Sequence, residues 1–469
     1  MDSSLNSEAS TAKRSWRWLA GYLLMIVIAV GAFAAIRVIG ESSADSLVSA
    51  ATGSEILRQD ARPATLPKLL GALAAILATA RALGAVFGWF GQPRVIGEVV
   101  AGILLGPSLL GRISPEVMWS LFPDAIAAQL GVIAQLGVIL FMFLVGLELN
   151  AELLRGRIHM TVVISHAGIV TPFLMGAGLA LWLFPQLAPR GVPFTSFALF
   201  LGVSLSITAF PVLARILTER RIERSELGVL ALSCAAVGDV TAWCLLAFVV
   251  GVAQSAVAGA ISTALLTVLF IGVMFGVVRP LARRWLGERD PSQINGQVLT
   301  TVLLALLLSS LAAEAIGIHA LFGAFLLGAV IPHESAVARA FHDKLHDMVV
   351  LLLLPAFFAH SGLRTQIGLV SGLSDWLTCG AIIVVATLGK LGGTMIAARL
   401  TGSGWRTSAS LGILMNTRGL MELIVLNIGL DLGVISPTLF AMMVLMALVT
   451  TVATTPILRW LSPQETSLS

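Results

Sequence analysis

Apolar segments long enough to cross a lipid bilayer recur along the whole chain, and they constrain its fold more than any other feature. A membrane-spanning α-helix needs about 20 consecutive, mostly apolar residues. Because lipid offers no hydrogen bonds to the backbone, segments of this kind are predicted to be helical. The fourteen predicted segments are approximately 19–38, 67–90, 94–111, 126–147, 160–184, 194–218, 228–251, 258–284, 298–316, 318–332, 346–365, 376–399, 407–430 and 437–460.

The composition indicates an all-α polytopic membrane protein. Hydrophobic residues make up 57% of the chain, charged residues make up 12%, and the mean hydropathy is +0.95. A soluble domain carries about 25% charged residues. The net charge of +4 does not indicate a nucleic-acid partner, because the positive side chains fall at segment ends rather than on one patch. No cofactor or nucleotide motif, metal site or nucleophile–base pair is present, so an enzyme is not expected.

The distribution of Lys and Arg predicts the topology. If the N-terminus is cytoplasmic and the segments alternate, most Lys and Arg residues of the connections fall on the cytoplasmic side. Both termini are then cytoplasmic. The first segment is long for a cleaved signal peptide, which favours a retained helix. The predicted parts are residues 1–66 (a cytoplasmic stretch, an extra transmembrane helix and a polar linker), 67–460 (the main transmembrane domain) and 461–469 (a short cytoplasmic tail).

Asp239 is the single formal charge in the apolar run from Gly228 to Gly251. A charged side chain at bilayer depth is costly, and such residues usually mark an ion or proton pathway. Asp239 is therefore the leading candidate for a functional carboxylate.

Lys390 is the best candidate for the counter-charge of Asp239. It lies in the middle of the twelfth segment, beside Gly389, Gly392 and Gly393, which permit close helix packing. Two interpretations stay open. The pair is either a structural ion pair that ties two helices together, or a switchable pair in which a cation or proton on Asp239 displaces Lys390.

Two segments contain residues that interrupt a helix. The sixth segment has Pro211 in its interior, preceded by the hydroxyl groups of Ser204, Ser206 and Thr208. Interrupted helices are tolerated within a membrane where they are buried in protein or line a watery cavity. A plain proline kink is the alternative for Pro211.

The thirteenth segment has Asn416, Thr417, Arg418, Gly419 and Glu422 in its interior. The i, i+4 spacing of Arg418 and Glu422 predicts a local ion pair, with a structural or a gating role. In the predicted topology this segment runs antiparallel to the sixth. Interrupted helices in opposite orientation are typical of inverted repeats with an ion site near the midplane.

Seven stretches resemble the second family of monovalent cation:proton antiporters, above all the plant cation/proton exchangers and the yeast potassium/proton antiporter. In chain order they are QPRVIGEVVAGILLGPSLLG, LFMFLVGLELN, SLSITAFPVLARILTE, AAVGDVTAW, IHALFGAFLLGAVIP, LLPAFFAHSGL and LMNTRGLMELIVLNIGLDLGVIS. The resemblance covers roughly residues 66 to 460. It implies that residues 67–460 are a sodium/hydrogen exchanger domain.

The resemblance implies an inverted-repeat antiporter fold of about thirteen helices with two crossed, interrupted helices, here with one extra N-terminal helix. It also implies a homodimer with a dimerisation domain and a mobile core domain, in a bacterial inner membrane. Carried onto this chain, Asp239 binds the cation (K+ or Na+) or the proton, with Thr208 and Ser206 nearby. Lys390 is its partner, while Pro211, Asn416, Arg418 and Glu422 shape the helix crossing.

Gly238 departs from the family pattern, because many members have Asn or a second Asp immediately before the binding Asp. A single carboxylate predicts electroneutral exchange of one cation for one proton. The alternatives are a gated cation channel and a transporter-like sensor. The chain has no TVGYG-type filter sequence, and it keeps both Asp239 and Lys390, which favours the antiporter.

Overall fold

The structure is a computed structural model. It describes residues 65–147, 158–222, 225–254, 257–286 and 295–461, together with residues 24, 25, 27, 28 and 30–35, which are helical. Most of the extra N-terminal helix, the linker that follows it and the tail from 462 lie outside the described residues.

The described part of the chain is all-helical. Helices numbered from Thr65 are α1 Thr65–Trp89, α2 Arg94–Leu105, α3 Leu110–Ile113, α4 Pro115–Leu121, α5 Asp124–Leu147, α6 Ile158–Leu187, α7 Phe194–Ser206, α8 Phe210–Glu219, α9 Glu226–Gln254 and α10 Val257–Val273. They continue with α11 Arg279–Leu286, α12 Gly296–Ile316, α13 Ala320–Val330, α14 Ala336–Met348, α15 Leu354–Arg364, α16 Gly372–Leu400, α17 Trp405–Met415, α18 Leu420–Asp431 and α19 Pro437–Leu461. One π-helical turn joins α10 to α11 and another joins α14 to α15.

The predicted segments from the second to the fourteenth each coincide with a helix or a pair of helices. Ten helices of the described residues are long and apolar enough to cross a membrane.

The predicted start of the eleventh segment is wrong, because its helix begins at Ala336, ten residues before the predicted start at His346. The side chain of Ser335 caps this helix by accepting a hydrogen bond from the Ala338 amide at 3.1 Å.

The helices pack into two groups. The first group contains α1, α2, α5, α12, α13 and α15, and the second contains α6, α7, α8, α9, α16, α17, α18 and α19. Contacts are dense within each group and sparse between them, with α10 contacting both. The boundary between the two groups is called the seam below.

The second group contains the same arrangement twice. A long helix, a broken helix and a long helix follow one another as α6, α7–α8 and α9, and again as α16, α17–α18 and α19. The loop charges predict opposite orientations for the two sets, as expected for inverted repeats.

Helices α5 and α13 of the first group approach each other through two glycines. A Cβ on Gly328 would lie 2.3 Å from the Phe143 carbonyl oxygen, and one on Gly146 would lie 2.2 Å from that of Phe325. A side chain at either position therefore forces the two backbones apart, which explains why small residues are needed at this contact.

We expect Gly328→Ala to destabilise the protein by about 1–3 kcal/mol, because the obstructing atoms belong to the backbone and cannot move aside. The thermal melting of the purified protein measures the effect. Gly380→Ala is the matched control, because nothing lies within 4 Å of a Cβ at that position of α16. Equal melting temperatures for the two variants would rule out the tight contact.

Candidate cation site at the crossing of two broken helices

The two broken helices meet at their interruptions. The first is interrupted between Ser206 and Phe210, and the second between Met415 and Leu420. The Ala209 amide donates to the Thr417 carbonyl at 2.9 Å. The Thr208 hydroxyl donates to the Met415 carbonyl at 3.0 Å. Each interruption thus provides hydrogen bonds to backbone groups of the other. Non-helical backbone is tolerated inside a membrane because such bonds replace those of the helix.

Helix α19 holds the second interruption in place. The hydroxyl of Thr451 donates to the Arg418 carbonyl at 2.6 Å and accepts a hydrogen bond from the Arg418 amide at 3.1 Å. One buried side chain therefore satisfies both backbone groups of a residue that has no helical partner.

Two cationic side chains cap the carbonyl end of α7. Arg418 donates from Nη1 to the Ser204 carbonyl at 3.1 Å and from Nη2 to the Leu205 carbonyl at 2.7 Å. The Lys390 ammonium donates to the Ser206 carbonyl. The last carbonyls of a helix carry a partial negative charge, so they stabilise both cations.

The ion pair predicted between Arg418 and Glu422 is present. The Nη1 and Oε2 atoms are 2.9 Å apart, and both side chains are 0% exposed. Glu422 also lies in the first turn of α18, where the helix dipole favours a negative charge. The pair therefore connects the carbonyl end of α7 to the amide end of α18.

Asp239 lies in the middle of α9 and is 3% exposed. No hydrogen bond or ion pair to its carboxylate is found among the described residues, although Lys390 is close enough to interact with it electrostatically. No direct ion pair joins Asp239 to Lys390 in this conformation, in which the Lys390 ammonium donates to the Ser206 carbonyl.

The remaining predicted residues lie at the same crossing. The Ser206 hydroxyl donates to the Gly202 and Ile169 carbonyls, at 2.7 and 2.9 Å. Pro211 is the second residue of α8, a position where its missing N–H costs no hydrogen bond. Asn416 forms the C-cap of α17. Pro211 therefore begins a new helix rather than kinking a continuous one.

Several buried oxygen atoms at the interruptions have no hydrogen-bond partner within the described part of the chain. They are Ser204 Oγ, Asn416 Oδ1, Thr417 Oγ1 and Glu422 Oε1. Neutral and charged oxygens are the ligands that hard cations prefer. The sequence placed these residues in the two interrupted segments, but no pattern in it could show which of their oxygens stay unpaired.

Sequence reasoning missed Ser165. A Cβ on Gly238 would lie 3.2 Å from Ser165 Oγ, and this hydroxyl donates to the Cys234 carbonyl at 2.9 Å. Ser165 is 0% exposed. A hydroxyl from α6 therefore lies beside Gly238, the residue before Asp239, and the missing side chain of Gly238 gives it room.

A family model described as "Sodium/hydrogen exchanger, transmembrane" matches residues 72–461. The Na(+)/H(+) antiporter NhaS4 of Synechocystis sp. is 41% identical over 396 residues, which are 84% of this chain and 97% of that protein. Cation/H(+) antiporter 18 of Arabidopsis thaliana is 40% identical over 84% of this chain and 48% of its own length. K(+)/H(+) antiporter 1 of Saccharomyces cerevisiae is 33% identical over 81% and 44%.

The chain thus spans nearly all of the cyanobacterial relative and about half of the plant and yeast relatives. Among solved structures, that of the sodium proton antiporter MjNhaP1 from Methanocaldococcus jannaschii is similar, with a TM-score of 0.64 and 15% sequence identity. The match covers 86% of this chain and 100% of that one. At this identity the likeness concerns the fold, which is the antiporter fold.

Proposed function

The chain belongs to the sodium/hydrogen exchanger family, and on this basis we propose that it exchanges a monovalent cation, K+ or Na+, for protons by alternating access around Asp239. It is a multi-pass integral membrane protein. The observation that carries the proposal is a buried carboxylate with no partner among the described residues, located in a helix that packs against both broken helices.

The mechanism follows from charge balance at Asp239. A carboxylate at this depth is costly without a positive partner. A proton or a monovalent cation each neutralises one negative charge, so the two ligands compete for one site. Lys390 and Arg418 remain on the carbonyls of α7, and their charges are balanced by that helix end and by Glu422. The site therefore changes its ligand without a change in net charge.

Electroneutral one-for-one exchange is the prediction of a single carboxylate next to Gly238. Purified protein in liposomes on a solid-supported membrane is expected to give no sustained transport current under a K+, Na+ or Li+ gradient. Under the same gradients, an internal pH dye should report proton movement. A current that reverses with the cation gradient would contradict the prediction, because two protons per cation move one net charge.

The same experiment separates the alternative functions. A gated channel passes a cation current without obligatory proton movement. A sensor moves neither ion. An exchanger moves protons against the cation, and the ranking of K+, Na+ and Li+ gives its preference.

The proposal extends to assembly and location. The protein acts as a homodimer in a bacterial inner membrane, with residues 67–460 as the transport domain, a retained N-terminal helix and both termini cytoplasmic. The loop charges support this orientation. The molar mass from light scattering of the purified protein checks the dimer, and a C-terminal reporter fusion checks the orientation.

A further inference from the structure

A cavity opens along the seam at the end of the molecule that the loop charges predict to be external. It has a volume of about 600 Å³ and is lined by polar residues of both helix groups: Gln135, Glu314, His319, His360, Arg364 and Asp431. A second cavity of about 300 Å³ shares several of these residues and extends to Asn427 and Ser310. Open space therefore lies between the two helix groups at this end of the seam, and polar side chains cross the seam beside it.

Four side chains cross the seam next to this cavity. Arg364, at the end of α15, pairs through Nη2 with Asp431 Oδ1 at 2.6 Å and donates from Nη1 to Asn427 Oδ1 at 3.1 Å. Asn427 in turn donates from Nδ2 to Ser361 Oγ at 2.7 Å. Ser361 and Arg364 belong to the first group and Asn427 and Asp431 to the second, so every one of these contacts joins one group to the other.

The end of α15 is fixed firmly to its own group. The Ser108 hydroxyl donates to the Thr365 carbonyl at 2.6 Å and accepts a hydrogen bond from the Ile367 amide at 3.0 Å. The Thr365 hydroxyl donates to the Ser361 carbonyl at 2.8 Å. These hydrogen bonds hold the end of α15 to the first group, so movement of the second group relative to the first is expected to break the contacts of Asn427 and Asp431.

We propose that Ser361, Arg364, Asn427 and Asp431 form a latch across the seam, closed in the conformation described here and opened in every transport cycle. The inference rests on the proposed antiport function. The Arg364 and Asp431 side chains are 27% and 46% exposed. A partly exposed ion pair contributes little net stability, which suits a contact that opens repeatedly. The latch positions the two helix groups and does not touch the transported ion at Asp239.

A disulfide across the seam tests the latch directly. Ser361→Cys and Asn427→Cys are combined in a background in which Cys234, Cys244 and Cys379 are replaced by alanine. Proton movement on cation addition is measured in proteoliposomes before oxidation, after oxidation and after reduction, and alkylation followed by mass spectrometry gives the cross-linked fraction. We expect oxidation to reduce exchange to background and reduction to restore it. Undiminished exchange by fully cross-linked protein would overturn the proposal.

The matched control is the pair Gly84→Cys and Arg94→Cys, because a Cβ on Gly84 would lie 3.5 Å from that of Arg94, within the range of a disulfide. Both residues lie within the first group, so oxidation of this pair should leave exchange unchanged. Loss of exchange in this pair as well would mean that any cross-link is inhibitory, and the latch would not be supported. If the cysteine-free parent itself moves no protons with any cation, the antiport function fails rather than the latch.

Arg364→Gln and Asp431→Asn provide a second test that needs no cross-link. Both remove the ion pair, but they change the local charge in opposite directions. A latch predicts that the half-saturating external cation concentration shifts several-fold in the same direction in both variants, with no further shift in the double variant. Shifts in opposite directions would show that these residues act only through the charge of the cavity.

Discussion

Replacing Asp239 with asparagine is expected to abolish cation-dependent proton movement while the protein stays folded. The amide has nearly the size of the carboxylate, but it neither binds a proton near neutral pH nor carries the charge that attracts a cation. In everted membrane vesicles, a pH-sensitive dye should respond to K+, Na+ or Li+ with the wild-type protein and give only the background response with the variant. This is the largest effect on activity that we expect.

The stability of the same variant is informative. Asp239 is buried, and its carboxylate has no hydrogen bond or ion pair among the described residues. The substitution removes a costly buried charge but also its electrostatic interaction with Lys390, so we expect thermal stability close to that of the wild type. A variant that is inactive and also unstable would therefore point to a structural role for Asp239.

Asp375→Asn is the control with the same chemical change. This residue lies in the first turn of α16, where its Oδ2 accepts a hydrogen bond from the exposed Ser371 amide at 3.0 Å. We expect its exchange activity to equal that of the wild type. If Asp239→Asn also kept wild-type exchange, the transported ions would have to bind elsewhere, and the proposed mechanism would be wrong.

Segment length and residue spacing were sufficient to predict the transmembrane helices and the broken helices, whereas the family was predicted from the resemblance of seven sequence stretches. The i, i+4 pair of Arg418 and Glu422 was also predictable, because the helix brings residues four apart together without any tertiary information. The start of α14 was not predicted, because this helix has a polar face. Its mean hydropathy is therefore too low for residues 336–345 to be recognised as part of an apolar segment. The transmembrane helices, the interruptions and the Arg418–Glu422 pair were thus predictable because each depends on nearby residues or on the thickness of the bilayer.

The partners of the cations were not predictable. Lys390 bonds a carbonyl 184 residues away, and Arg418 bonds carbonyls 213 and 214 residues away. Every residue has a carbonyl, so no residue type identifies these acceptors. Charge pairing predicted Lys390 as the counter-charge of Asp239, and the two side chains interact electrostatically. The hydrogen bond of Lys390 to the carbonyl end of an interrupted helix was not predicted, because this acceptor is placed near Lys390 only when the helices pack.

Arg418 is expected to be the residue whose loss most reduces stability. Its side chain is 0% exposed, and it donates to Glu422 and to two carbonyls of α7. Arg418→Gln leaves the Glu422 carboxylate buried without its ion-pair partner. Removing one partner of a buried ion pair costs about 3–5 kcal/mol. We therefore expect a large decrease in the melting temperature of the purified protein, with little protein recovered from the membrane.

Arg418→Gln combined with Glu422→Gln distinguishes this cause from a simple loss of packing. The double variant leaves no unpaired charge at positions 418 and 422, and the two amides can hydrogen-bond to each other. It should therefore melt at a higher temperature than Arg418→Gln alone, although below the wild type, because the Ser204 and Leu205 carbonyls remain only partly satisfied. A double variant no more stable than Arg418→Gln would mean that the carbonyl caps, and not the ion pair, hold the crossing together. In that case Arg418→Lys, which keeps a cation at the end of α7, should melt at a higher temperature than the double variant.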